Sequence, residues 1–226
     1  MGHLSIKLGY WSSVSIIILS ILYGIGFPLA MFIFPIPHWT NLAAFTAAAK
    51  PVSLMVFGLC QAMAFLIAPA QIIQFCSLHE YAPDDKKILT KLGLCFMTAV
   101  MILGNQMYFL HFNTIRLIIA KADLTGLEQF VEWNANSAIM ASGTLGWTFF
   151  AGLGLFFVAP IFSGGRLEQW LRSLLFIGGC FGMLGLVGWV LSNVTLGIIY
   201  GLGGTTCLIV ASVLLSILFK RHENKI

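Results

Sequence analysis

Long runs of apolar residues, separated by short polar segments, dominate the sequence. Six of these runs are long enough for membrane-spanning helices, because a helix needs about 20 apolar residues to cross a hydrocarbon core of roughly 30 Å. They cover residues 10–34, 52–78, 89–112, 136–162, 171–191 and 195–219. None of the runs alternates apolar and polar residues as a strand of a membrane barrel does, so we predict α-helices. The predicted fold class is therefore all-α: residues 1–226 form one polytopic transmembrane domain, a bundle of six helices.

The composition supports a lipid bilayer as the solvent of this chain. Hydrophobic residues make up 59% of the sequence and charged residues only 9%, against about 25% charged residues in ordinary soluble domains. All 8 Asp and Glu residues lie between or after the apolar runs. Six spans without a soluble domain are typical of a multi-pass protein of the bacterial inner (cell) membrane, which is the predicted location.

The distribution of Lys and Arg predicts the orientation of the helices. If the N-terminus lies inside, the outer segments hold only Lys50, Arg116 and Lys121, and the other 9 of the 12 Lys and Arg residues lie in inner segments. Cytoplasmic loops carry the excess of Lys and Arg in membrane proteins. We therefore expect both termini to be cytoplasmic, as an even number of spans requires.

Residue patterns that support catalysis or metal binding are missing from the apolar runs. The 5 cysteines show no C-x-x-C spacing, the 5 histidines are scattered, and no G-x-S-x-G motif occurs. A proton relay through the membrane usually requires an embedded carboxylate or histidine, and no acidic residue lies within a run. We predict no catalytic residue, no metal site, no cofactor and no nucleic-acid partner. A non-enzymatic role is favoured, although an intramembrane enzyme of an unrecognised type stays open.

One segment of the third run, residues 104–116 with the sequence GNQMYFLHFNTIR, is more polar than its surroundings. At about 100° per residue, most of its polar side chains gather on one side of the helix, and His111 falls outside that side. This polar stripe would descend from the outer surface to mid-membrane, as one wall of an outward-facing pocket. Gln61 in the second run lies at a matching depth and is expected to face the stripe. The predicted ligand-binding residues are Gln61, Asn105, Gln106, Tyr108, Asn113 and Arg116.

Two interpretations of the polar stripe remain open. Asn, Gln and Tyr inside membranes often hydrogen-bond across helices and hold them together, and Arg116 can extend to the outer headgroups. Alternatively, the stripe lines a polar cavity, with Tyr23 and Trp147 among the residues of the facing walls. Gln71 and Gln74 lie toward the inner end of the second run, where helix or headgroup contacts are enough to explain them.

Prolines and glycines within the runs predict local helix geometry. Pro28 and Pro69 each remove a hydrogen-bond donor and free the carbonyl four residues earlier, at Gly24 and Phe65, so kinks are expected. A freed carbonyl can line a cavity, or the proline is simply tolerated, as is common in membrane helices. Glycines at helical spacing in the fifth and sixth runs let helices approach closely, within one chain or in a dimer. They are Gly178, Gly182, Gly185, Gly197 and Gly201.

The leading functional prediction is a non-enzymatic protein, permease-like or sensory, with a pocket that opens outward between the first four helices. Its ligand would be small and amphipathic or anionic. Arg116 would hold an anionic group near the mouth, and the amides would bind hydrogen-bonding groups deeper down. The alternative is a structural or assembly subunit. It would dock a partner membrane protein, or a second copy of itself, through the polar stripe and the glycine-rich faces. In both cases the lipid bilayer surrounds the protein.

Overall fold

The computed structural model describes residues 2–35, 39–48, 51–115, 126–131 and 134–224. Within these ranges the chain forms helices and turns and contains no strand. Six helices are long and apolar enough to cross a membrane, and we name them spans one to six. They are His3–Ile33, Val52–Tyr81, Asp84–Asn113, Ala138–Ile161, Arg166–Val190 and Thr195–Glu223. The predicted all-α fold with six transmembrane helices is therefore confirmed, and the chain is a multi-pass membrane protein.

Spans three and four are not regular α-helices. Span three begins with a 3-10 turn, Asp84–Lys86, and continues as Lys87–Ala99, a π-helical turn Val100–Gly104, Asn105–Phe109 and a second π-helical turn Leu110–Ile115. Span four consists of Ala138–Thr144, a π-helical turn Leu145–Phe150, Ala151–Val158 and a 3-10 turn Ala159–Ile161. The π-helical turns Val100–Gly104 and Leu145–Phe150 pack against each other. Such turns change the direction in which later side chains point, and they occur frequently at functional sites.

The six spans form a closed ring in chain order. Each span packs against the next, and span six returns to pack against span one. Large apolar side chains cover the outside of the ring, where Phe32 is 85% exposed and Val190 is 73% exposed. An apolar outer surface of this extent fits contact with lipid rather than water. A short helix, Leu42–Ala48, lies in the connection between spans one and two.

Glycines bring neighbouring spans into backbone contact within the chain. A Cβ atom built on Gly152 of span four would lie 2.7 Å from the Gly179 carbonyl oxygen of span five. A Cβ atom on Gly188 of span five would lie 2.5 Å from the Gly197 nitrogen of span six. Real Cβ atoms do not approach backbone this closely, so the small residues set the spacing of spans four, five and six.

Both ends of the described chain lie at the same end of the ring. The Lys220 ammonium group of span six lies 5.4 Å from the centre of the Tyr10 ring in span one. At this end the Tyr81 ring also meets the His222 ring, with centroids 5.5 Å apart. The Lys86 ammonium group donates to the Pro160 carbonyl at 2.8 Å. Because basic residues from both termini and both connecting turns gather here, we call it the basic end.

Candidate functional site

A cavity of about 130 Å³ lies in the centre of the ring, and all six spans contribute to its wall. Most of the wall consists of glycine, alanine, leucine and isoleucine. The side chains with polar atoms are Ser20, Tyr23, Gln71, Tyr108, Trp147, Thr148 and Thr205. No Asp, Glu, Lys, Arg, His or Cys is among the described residues of the wall. The cavity is therefore a largely apolar, uncharged chamber with a few hydrogen-bonding groups.

Gln71 of span two is the most unusual group in this wall. Its side chain is 1% exposed, and neither its amide oxygen nor its amide nitrogen hydrogen-bonds any described residue. Buried amides are nearly always bonded, because an unpaired polar group in an apolar interior is costly. The position is deep, since Gln71 precedes the end of span two at Tyr81 by about 15 Å of helix.

The neighbouring Gln74 differs, because its amide joins three spans. Its Nε2 atom donates to the Ser13 hydroxyl of span one at 2.9 Å and to the Ser212 hydroxyl of span six at 3.4 Å. The Ser13 hydroxyl in turn donates to the Gly9 carbonyl at 2.7 Å. Together with a packed apolar core that includes Phe75, this cluster fills the space between the cavity and the basic end.

Of the six predicted site residues, Tyr108 lies in the cavity wall. Its side chain is 9% exposed. The Tyr108 ring meets the Tyr23 ring edge-on, with centroids 6.2 Å apart, and its centroid lies 5.9 Å from that of Trp147. Tyr23 and Trp147, which the sequence suggested as facing residues, thus share the wall with Tyr108. The Trp147 indole nitrogen has no described hydrogen-bond partner.

Asn105 binds a neighbouring helix instead of lining the cavity. Its side chain is 3% exposed, and its Nδ2 atom donates to the Phe65 carbonyl of span two at 2.8 Å. This is the carbonyl that Pro69 leaves without its helical donor. Asn105 therefore completes the hydrogen bonding of a proline-interrupted helix, as the helix-to-helix interpretation expects.

The structure does not bring the remaining predicted site residues together. Gln61 is buried, at 2% exposure, but does not line the cavity. Gln106 and Asn113 are exposed on the outside of the ring, and Arg116 lies outside the described residues. For Asn113, the π-helical turn Leu110–Ile115 also alters the angular spacing on which the stripe was based.

His111 also departs from the pattern of an exposed interfacial residue. It falls outside the polar stripe by sequence, yet its side chain is only 8% exposed. Its ring hydrogen-bonds the backbone of Phe130, in the segment that precedes span four. His111 thus connects the C-terminal end of span three to this segment and does not line the cavity.

The sequence could have indicated Gln71 by its depth. Headgroup contact explains a glutamine near a helix end, but Gln71 lies too far from Tyr81 for its side chain to reach the interface. The relevant signal was the distance to Glu80, the charged residue near the end of span two. What no pattern revealed is that the Gln74 amide nitrogen finds partners whereas the Gln71 amide nitrogen does not, because this depends on the serines of spans one and six.

Potential metal ligands do not gather among the described residues. Among them, no three His, Cys, Asp or Glu side chains come together to hold a metal ion, and the five cysteines are free thiols. Within the cavity, the available chemistry is hydrogen bonding, above all from the amide of Gln71 and the indole N–H of Trp147, and contact with aromatic and aliphatic surface. In comparisons with protein-family models, curated proteins and solved structures, the chain matches none of them.

Proposed function

We propose that this protein is a non-enzymatic, multi-pass protein of the cell membrane that binds a small ligand in its central cavity, as a permease or a sensor. The observation that carries the proposal is the unpaired amide of Gln71, which is 1% exposed in the wall of a cavity of about 130 Å³. Ligand sites in proteins are typically apolar chambers with a few placed polar groups. A helix bundle that served only as a scaffold would gain stability by filling this space and removing the amide.

The proposed orientation has the basic end in the cytoplasm. Lys7, Lys86, Arg172 and Lys220 belong to this end or its approach, and Lys and Arg accumulate on the cytoplasmic side of membrane proteins. The Gln74 cluster and the apolar core around Phe75 then separate the cavity from the cytoplasm. Ligand would reach the cavity from the outer side or from the bilayer, and passage to the cytoplasm would require the Gln74 cluster to open.

Cysteine labelling tests whether the cavity admits small molecules. In a variant with the five native cysteines replaced by alanine, Ser20→Cys places a thiol in the cavity wall. Ser212→Cys is the matched control, because Ser212 is 0% exposed and packed against Gln74 outside the wall. Methyl methanethiosulfonate, a small uncharged reagent, should label Ser20→Cys about tenfold faster than Ser212→Cys or more. The reason is that a thiol in the cavity wall is open to the reagent, whereas a packed thiol reacts only after local opening of the structure. Equal rates would mean that the cavity is closed to small molecules, and the proposed function would be rejected.

A second candidate function, docking of a partner helix, rests on a different surface. Ile102, Gln106, Phe109 and Asn113 lie at helical spacing on span three and are exposed. Polar side chains that face lipid are costly, and interhelical hydrogen bonds satisfy them. Gln106→Leu should then weaken association with a second copy or a partner, measured by the oligomeric state in nanodiscs. An unchanged oligomeric state would exclude this candidate.

A further inference from the structure

We infer that the ligand of the central cavity is a small uncharged molecule of about six non-hydrogen atoms that carries both a hydrogen-bond donor and an acceptor, such as a primary carboxamide, and that Gln71 binds it. The inference rests on the proposed function and specifies the chemical class of its ligand. It replaces the anionic group suggested by the sequence with a neutral one.

The hydrogen-bonding requirement follows from the state of Gln71. A side-chain amide offers two N–H donors and a carbonyl oxygen acceptor, and both the Oε1 and Nε2 atoms lack a described partner. A ligand with only an acceptor, or only a donor, would leave half of the amide unpaired. A carboxamide pairs both atoms at once, since its own oxygen accepts from Nε2 and its own N–H donates to Oε1.

The absence of charge follows from the wall. No Asp, Glu, Lys, Arg or His is among the described lining residues, and an isolated charge in an apolar interior is strongly disfavoured unless it is paired. A carboxylate or ammonium group would find no counter-ion in this chamber. The cavity therefore selects against the charged relatives of a neutral amide.

The size of the ligand follows from the volume. The cavity measures about 130 Å³, and an engineered apolar protein cavity of about 150 Å³ holds benzene, which has six non-hydrogen atoms. Around the chamber, Gly178 and Gly182 pack closely against the neighbouring spans, so the backbone at this part of the wall has little room to move. Larger molecules would require the spans to separate.

The wall also suggests a route that suits an uncharged molecule. Thr205 of span six lines the cavity and is exposed at the surface of the ring. A Cβ atom added to Gly201, one turn earlier in the same wall, would meet no atom within 4 Å. The chamber thus approaches the lipid-facing surface beside span six, where a neutral amphipathic molecule dissolved in the bilayer could enter.

A series of matched probes tests the inference on the full chain in nanodiscs. Butyramide, butyrate, n-butylammonium and benzene have similar size and differ in charge and hydrogen bonding, and ligand-observed NMR gives their relative affinities. We expect butyramide to bind most tightly. Gln71→Leu should weaken butyramide binding about tenfold and leave benzene binding unchanged or stronger. Thr148→Val is the control in the same wall, because the Thr148 hydroxyl already donates to the Thr144 carbonyl, and it should leave butyramide binding within about twofold.

The outcomes separate this inference from the proposed function. Tighter binding of butyrate or n-butylammonium would overturn the uncharged class, and equal binding of benzene and butyramide would overturn the hydrogen-bonding requirement. Butyramide binding that does not change in Gln71→Leu would mean that an ordered water satisfies the amide, and the inference would fail. If no probe binds while Ser20→Cys is labelled rapidly, the ligand class is wrong and the proposed function stands. If Ser20→Cys is labelled no faster than Ser212→Cys, both the proposed function and this inference are rejected.

Discussion

Replacing Asn105 with leucine, a side chain of similar shape, tests the hydrogen bond between spans three and two. The Asn105 Nδ2 atom donates to the Phe65 carbonyl at 2.8 Å, and Pro69 has no N–H that could bond this carbonyl. In Asn105→Leu the carbonyl loses its donor. An unsatisfied buried group costs about 1–3 kcal/mol, whereas measured hydrogen bonds between membrane helices average about 0.6 kcal/mol. We expect the free energy of unfolding to fall by about 1 kcal/mol, between these two estimates.

A second substitution isolates this contact from other effects of the leucine. The Asn105 Oδ1 atom has no described partner, so leucine also removes a buried unpaired acceptor, which is favourable. In a Pro69→Ala background the new N–H at position 69 can bond the Phe65 carbonyl, and the helix no longer depends on Asn105. The Oδ1 effect is present in both backgrounds and cancels in a double-mutant cycle. The coupling between the two positions should therefore be about 1 kcal/mol.

The assay is equilibrium unfolding of the full chain in mixed micelles with increasing amounts of a denaturing detergent, followed by circular dichroism. It gives the free energies of unfolding of the four proteins in the cycle: the original chain, the two single variants and the double variant. Gln106→Leu is the matched control at the next position, since its side chain is exposed. It should change the stability by less than about 0.5 kcal/mol. If Asn105→Leu has the same cost in both backgrounds, within about 0.3 kcal/mol, Asn105 does not compensate for the proline and the reasoning is refuted.

Two further predictions concern packing and the polar cluster beside the cavity. A Cβ atom on Gly146 would lie 2.7 Å from the backbone nitrogen of Gly104, so Gly146→Ala should lower the unfolding free energy by about 1–3 kcal/mol. Gly24→Ala, whose Cβ atom meets nothing within 4 Å, should be neutral or stabilising, and equal losses for the two variants would contradict this packing argument. Gln74→Leu removes the donor to Ser13 and should lower stability by about 1 kcal/mol in the same assay; an unchanged stability would show that this cluster does not hold the spans together.

The hydrophobic pattern was sufficient to predict the six spans, because crossing the bilayer requires long apolar helices and little else satisfies the backbone in lipid. Helix ends were less well predicted. The third run was predicted to begin at residue 89, whereas span three begins at Asp84. Helical structure continues into polar residues at the basic end, where Asp84 pairs with Lys87 at 2.8 Å, and a hydropathy pattern cannot detect this extension.

The sequence pattern could not predict the direction in which each polar side chain points. Regular angular spacing grouped Asn105 with Gln106 and Asn113, but the first is buried and the other two are exposed. Two causes act together: the stripe was wider than one helix face, and π-helical turns interrupt the regular spacing. The direction of a polar side chain also depends on which hydrogen-bond partners the neighbouring spans offer. Pro69 in the sequence predicted a free carbonyl at Phe65, but only the packing of spans two and three brings Asn105 to this carbonyl.

The closed ring has a consequence for the biogenesis of the protein. Spans enter the membrane in chain order, so the Gln74 amide and the Ser13 hydroxyl are already in the membrane before Ser212 of span six is synthesised. Until then, the flank of span one that will meet span six faces lipid or the insertion machinery. The newly made chain therefore carries a polar seam that only its final helix can cover. A chain truncated before span six would leave Gln74 without its contact to Ser212.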